Sequence, residues 1–570
     1  MVRVVASLSL AALLVLGLSG ITVAAEGEAA RPVPRRLDRK PKFVGDAETI
    51  RFVNAEIREG WQDANLEPSP QARDGEWCRR VYLDVLGRIP TIDELQRFER
   101  EPAASRRGML VHRLLDSDEY AEDYARYWAA VWSHVLVGRP APSDAALPSL
   151  TNYEGLRQYL RSSLFDNKPY DVMVYELLTA TGDTTPGEPG FNGATNFLID
   201  CLDDEAVEAT KRTATCFIGF RAQCAQCHCE PCTGWQQSQY WSLNAFFRQA
   251  RVQRISSPDG RDHAILSDAD FVGESNDRQH AEVYFQSTQG KMEVAYPAYV
   301  DGTKIDASGE LQSVHRRAEL GRLVIHSDQL GTAIANRMWA QLFGFGFSSS
   351  GEVDQLGLRG ELALTGIPAA LGHEFAARGF NLKQLIRWMV LSEPYSLSSR
   401  ITDKNRADQH GHGMRPHFSH FYLRDMQPEQ IYASILVTSG GYLAGSDPAH
   451  RAERDKIVGE LAIASGHTGA NRNRSPSGTV PLALTLMNGP LTSQATGLAS
   501  TSLSRKLSAR GTSKLDPIDA IFLSALSRKP TRSQRSCAAQ LLAAHPVDPE
   551  SAYQDIWWAV VNSNEFILNH

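Results

Sequence analysis

Residues 90–98, Pro90-Thr91-Ile92-Asp93-Glu94-Leu95-Gln96-Arg97-Phe98, decide how the chain is read. Thr91-x-x-Glu94 directly after a proline is a capping box, in which the Thr hydroxyl and the Glu carboxylate satisfy backbone donors that a helix start leaves orphaned. Leu95 and Phe98 then supply the buried face. The same helical period continues outward: Tyr120, Tyr124, Tyr127, Trp128, Val131 and Trp132 recur at spacings of three and four and share one stripe. Such a stripe can wall a cofactor, but aromatic helix stripes usually form core, and core packing is the reading adopted.

Further along, Leu330, Ala333, Ile334, Met338 and Leu342 line one face behind Ser327-Asp328, and Leu382, Leu385, Ile386 and Met389 line another. Tyr553 to Phe566, with Trp557-Trp558, reads as a last helix. Between 250 and 309 the period changes, and Val283-Tyr284-Phe285 and Met292 to Tyr296 flank Ser287-Thr288-Gln289-Gly290 as a small hairpin. The expected fold is therefore mainly α, a multi-helical two-domain chain with a small β-hairpin insert. The expected divisions are a helical domain over 47–249, the insert over 250–309 and a second helical domain over 310–570. One echo joins the ends: Leu86-Gly87-Arg88-Ile89-Pro90-Thr91 and Leu526-Ser527-Arg528-Lys529-Pro530-Thr531 both close an apolar run and open a polar helix start. Two instances are too few for a repeat array, and shared helix-turn chemistry accounts for them.

The chain has 570 residues, 42% hydrophobic and 22% charged, with a net charge of -7. That composition excludes a disordered tail, and no block of like charge offers a footprint for nucleic acid. Arg3, the uncharged apolar run Val4 to Leu18 and the small residues Val23-Ala24-Ala25 make residues 1–25 a signal peptide, with an uncleaved anchor as the alternative. Residues 26–46, with Arg31, Arg35, Arg36, Arg39, Lys40 and Lys42 among prolines, read as a basic linker. No later segment approaches the length of a membrane span. The expected location is exported: periplasmic, secreted or cell-surface.

Four of the eight cysteines fall between Cys224 and Cys232. Export places them in an oxidising compartment, where crowded thiols end as disulfides, thioethers or metal ligands. Cys224-Ala225-Gln226-Cys227-His228 has the C-x-x-C-H arrangement that attaches c-type haem, with each thiol forming a thioether and the imidazole ligating the iron. Cys216, Phe220, Cys224 and Cys227 fall on one expected helical face, with Trp235, Trp241, Phe246 and Phe247 behind them as apolar walls. Disulfides, such as Cys229 to Cys232 or Cys224 to Cys227, compete with this reading. A zinc site is disfavoured because Cys227, His228 and Cys229 are consecutive and cannot all point at one tetrahedral ion.

Other constellations carry less. His410, His412, His417 and His420 crowd a loop that glycines make flexible and exposed, with a transition metal as the alternative. Asp203-Asp204-Glu205 read as carboxylates at a helix start rather than as paired acids. No H-E-x-x-H, G-x-S-x-G, Walker loop or G-x-G-x-x-G occurs, so the common hydrolase and nucleotide-enzyme classes have no motif here.

The run Arg79 to Thr91, then Tyr127-Trp128 and Cys224 to His228, resembles the planctomycete surface cytochrome family of uncharacterised domains. Ala335 to Gly344, Gly379-Phe380-Asn381-Leu382-Lys383, Leu486-Met487-Asn488-Gly489-Pro490 and Asn562-Ser563-Asn564-Glu565-Phe566 resemble its usual partner, a planctomycete-specific domain of unknown function. The resemblance runs from about residue 47 to the end. It implies an exported protein associated with cytochromes c, without an established activity. Relatives usually follow C-x-x-C-H with an acidic or amide residue, a second His, Pro and an aromatic. Here stand Cys229, Glu230, Pro231 and Cys232, so His228 is the one imidazole retained.

The functional expectation is a carrier of one haem c on Cys224, Cys227 and His228, His228 ligating the iron, acting in electron transfer or as a redox accessory. Met292, Met338, Met389, Met414 and several histidines are open as the second iron ligand. Its partner would be an unidentified redox protein or surface component. The alternative is a non-catalytic structural or binding protein whose cluster, with Cys229 and Cys232, closes by disulfides. A metal site is a weaker alternative, as is an enzyme acting on surface polymers, for which no catalytic pair can be nominated.

Overall fold

A computed structural model describes residues 45–140, 149–228, 235–256, 262–348, 353, 356, 366–409, 415–440, 448–466, 479–493, 495 and 515–570. The signal segment and residues 26–44 of the expected linker thus lie outside the described residues, whereas Asp46, its expected last residue, already begins the first helix. Helices dominate, from Asp46–Asp63 to Asn564–Ile567, as expected. The capping box at Thr91 forms: Glu94 N–H donates to Thr91 Oγ1 at 3.2 Å and Thr91 N–H to Glu94 Oε2 at 2.7 Å. Leu95 and Phe98 are buried behind it. The aromatic stripe lies on the helix Asp118–Leu136, and all six of its residues are buried as core. The apolar faces read at 330–342 and 382–389 are buried on the helices Asp328–Phe343 and Leu382–Val390.

Three details differ from the sequence reading. The last helix is two, Pro549–Val561 and Asn564–Ile567, because Ser563 caps a new start by accepting the Phe566 N–H at 3.3 Å. A three-stranded antiparallel sheet accompanies the expected hairpin, with His263–Asp268 between Gly182–Asp183 and Ala250–Ile255. Its strands were illegible because Arg251, Gln253 and Arg254 leave no clean apolar alternation. The helix Val207–Thr213 is separated from Asp203 to Glu205 by left-handed backbone at Glu205 and Ala206, with φ of 56° and 60°. Asp203 instead faces Arg254 at 3.3 Å. The hairpin itself is in register, Tyr284 opposite Val294 and Gln286 opposite Met292.

The echo between the two ends is close in three dimensions. Gly87 and Ser527 both turn left-handed, at φ of 70° and 53°. Arg88 and Arg528 both donate to the next residue's carbonyl and to acids, Glu94 and Asp123 in one case and Glu565 in the other. Thr91 with Glu94 and Thr531 with Gln534 both form full capping boxes.

The apolar interior divides into a large cluster from Val53 to Tyr422, joined by Leu523, and a smaller one from Met426 to Phe566, joined by Leu83 and Ile89. Two buried arginine pairs stitch distant segments together. Arg316 donates to the carbonyls of Ala245, Ala281, Ala307 and Ser308, and Arg317 to both oxygens of Asp268 and the carbonyls of Leu178 and Ala180. Arg79 reaches Ala525 O and Phe566 O; Arg80 reaches Tyr395 O, Leu397 O and His570 O. Asp84 beside them accepts from Arg424, Tyr395 and Asn569, where Arg424–Asp425 pairs with Leu568–Asn569. Among the described residues no helix is long and apolar enough to cross a membrane.

Candidate functional site

The path to the cysteine motif starts on the helix Val207–Thr213, which widens into a π-helical turn over Ala214–Ile218. Gly219 ends it with φ of 85°, a conformation costly for residues with a Cβ; a Cβ here would also meet Leu356 Cδ1 at 2.6 Å. This break overturns the expected common face. Cys216 is buried with its Sγ 3.6 Å from Val135 O, Phe220 is buried against Trp235 at 4.0 Å between ring centroids, and Cys224 and Cys227 are exposed.

Cys224–Gln226 forms a single 3-10 turn, and the Cys224 carbonyl accepts the N–H of Cys227 at 3.3 Å and of His228 at 3.2 Å. His228 is exposed, while Ala225 between the thiols is fully buried and pins the turn to the body. Cys224 and Cys227 are unbridged. Cys229 and Cys232 lie outside the described residues. Behind the turn, Trp235, Phe246 and Phe247 are buried and Trp241 is half-buried, so the expected apolar residues are packed core beneath the motif.

The donor set fits covalent haem chemistry, which needs two free, reachable thiols three residues apart and an imidazole beside the second. Of the four methionines open as the second iron ligand, three are among the described residues. Met338 and Met389 are buried in the large core, and Met292 is 58% exposed on the hairpin face opposite Phe285. Met414 lies outside the described residues, as do His410 and His412. Among the described residues no three His, Cys, Asp or Glu side chains gather as a metal site.

His417 and His420 are not on an exposed loop. Asp408 draws their segment inward by accepting from the His417 N–H, the Ser419 N–H and hydroxyl and the Tyr422 hydroxyl, and His420 lies 3.8 Å from it. Burial pushes the pKa of both imidazoles below the ordinary histidine value, against the Asp408 charge.

Two further charged sites join residues far apart in the chain. His263 Nδ1 lies 2.6 Å from Asp183 Oδ2 across the small sheet, 80 residues away. Glu429 receives both Arg139 nitrogens, at 2.8 and 2.9 Å, and lies 3.6 Å from His134 Nε2. Burial opposes its ionisation, but His134 and Arg139 outweigh burial and hold its carboxyl well below the usual carboxylate range. It borders a shallow surface pocket with Tyr127, Val131, Gln341 and Gln427.

Residues 52–252 match the model of a family described as PSCyt2, a protein of unknown function (DUF1549), and residues 316–458 match PSD1, a protein of unknown function (DUF1553). No curated protein and no solved structure matches the chain.

Proposed function

We propose that this chain, which belongs to the PSCyt2 and PSD1 families in that order, is an exported or cell-surface protein that carries one c-type haem and works in electron transfer or as a redox accessory. The observation that carries the reading is the turn at Cys224–Gln226: two exposed, unbridged thiols three residues apart, followed by an exposed imidazole. Cys224 and Cys227 would hold the group by thioethers and His228 would ligate its iron. When bound, the haem supplies reversible one-electron chemistry. The turn presents both sulfurs to the surface, where attachment can occur on a folded chain, and the buried Ala225 keeps their spacing fixed. The leader-like segment 1–25 supports export, the route on which bacterial haem c is attached.

The test is expression in a host competent for haem c attachment. The reading predicts a Soret band that survives acid–acetone extraction and disappears in a Cys224→Ser, Cys227→Ser double variant. A colourless extracted protein from such a host would overturn it.

A further inference from the structure

Among the described residues, the N–H groups of Cys227 and His228 close the motif turn on Cys224 O, not on the Gln226 carbonyl midway through it. That carbonyl accepts two side-chain donors: Gln237 Nε2 at 3.1 Å and Trp241 Nε1 at 3.3 Å. Gln237 and Trp241 are four residues apart on the helix Gln237–Asn244, so they stand on one face and reach the same acceptor. Gln237 Nε2 also donates to Gln286 O at 2.8 Å, on the hairpin. Because both partners of this atom are carbonyls, the amide must turn its NH2 group toward them. Trp241 is tied to the same hairpin through its ring, which stacks on Phe285 at 6.0 Å and 12°.

We propose that Gln237 and Trp241 are the positioning residues of the C-x-x-C-H turn: by clamping Gln226 O they fix the peptide between Gln226 and Cys227 and so aim both sulfurs and the His228 ring. Both act through the backbone of the turn. The consequence for haem rests on the proposed function, whereas the clamp on the turn is a property of the haem-free protein.

The experiment uses the full chain made without haem and measures amide exchange at Cys227 and His228, whose N–H groups close the turn on Cys224 O. A Gln237→Leu, Trp241→Phe double variant should exchange these two amides about tenfold faster, the equivalent of about 1.4 kcal/mol, with the helix Ile92–Arg100 unchanged as the internal reference. Should the double variant fail to fold, Trp241→Phe alone keeps the ring against Phe285 and removes only the N–H. It should raise exchange about threefold, the scale of one modest hydrogen bond. Gln237→Glu keeps the shape but removes both donors and should behave as Gln237→Leu does. Unchanged exchange at Cys227 and His228 in a folded variant would overturn the proposal. The same variants matured with haem should show a displaced midpoint potential. A wild-type chain that takes up no haem would sink the haem reading and leave the exchange measurement to decide the clamp.

Discussion

Arg79 and Arg80 lie fully buried and spend their donors on carbonyls from five places between Tyr395 and His570, whereas Cys224 and Cys227 stand exposed on a turn that closes mainly on itself. Each region joins distant segments, but with opposite stakes. At the arginine junction five partners are backbone carbonyls, most of them buried with no water to fall back on, beside the Met426 sulfur and the Glu76 carboxylate, so losing the guanidinium leaves several unsatisfied acceptors. At the cysteine turn the thiol residues are exposed, and Gln226 O and the buried Ala225 tie the turn to the body. The difference separates what holds the fold from what can do chemistry, and it makes the two regions independently breakable.

The largest effect is expected at the junction. Arg80→Met should cost about 3–5 kcal/mol, the range for stranding buried polar partners, measured by urea unfolding. A loss below about 1 kcal/mol would erase the contrast between the two regions. Burial pulls the Arg80 pKa down only to about 10, so the lost charge is present at every pH used.

An intermediate effect is expected at Glu429. Its folded-state pKa lies below the ordinary carboxylate value of about 4.3, so its ionised form stabilises the fold above that value, and the contribution is lost as pH falls from there toward the lower folded pKa. Glu429→Gln should therefore cost about 1–3 kcal/mol at pH 7. The gap from the unsubstituted chain should narrow at pH 3. A gap that is the same at pH 7 and pH 3 would contradict the Arg139 and His134 pairing.

The smallest effect is expected at the turn. Cys224→Ser with Cys227→Ser, in the haem-free protein, should change stability by no more than about 0.5 kcal/mol, as surface substitutions do. A larger loss would mean that the sulfurs are structural.

What was legible in the sequence was local. Thr91 with Glu94, the stripe from Tyr120 to Trp132 and the hairpin around Gly290 each announce themselves within a few residues, and each forms as read. Long-range closure was not legible: Arg79 meets Phe566 O 487 residues away, Arg139 meets Glu429 290 away, and Asp183 meets His263 80 away, with no periodic signal to link them. At the candidate site the motif itself was plain, but its setting was misread. Helical spacing put Cys216 and Cys224 on one face, and a left-handed Gly219 between them sends one into the core and the other to the surface. His417 and His420 looked like a solvent-exposed cluster because nothing nearby in sequence reveals that the Asp408 carboxylate collects their backbone and neighbours. The role of Gln237 was equally hidden, since a glutamine at a helix start has many ordinary uses.

The central claim is that the exposed thiols of this turn are haem attachment points. Mass mapping of the peptide spanning Cys224 to His228, from protein matured in a haem c-competent host, tests it most directly. The account predicts one haem adduct on that peptide, with both Cys224 and Cys227 closed to alkylation. An unmodified peptide whose two cysteines alkylate freely, or alkylate only after reduction of a disulfide, would contradict it.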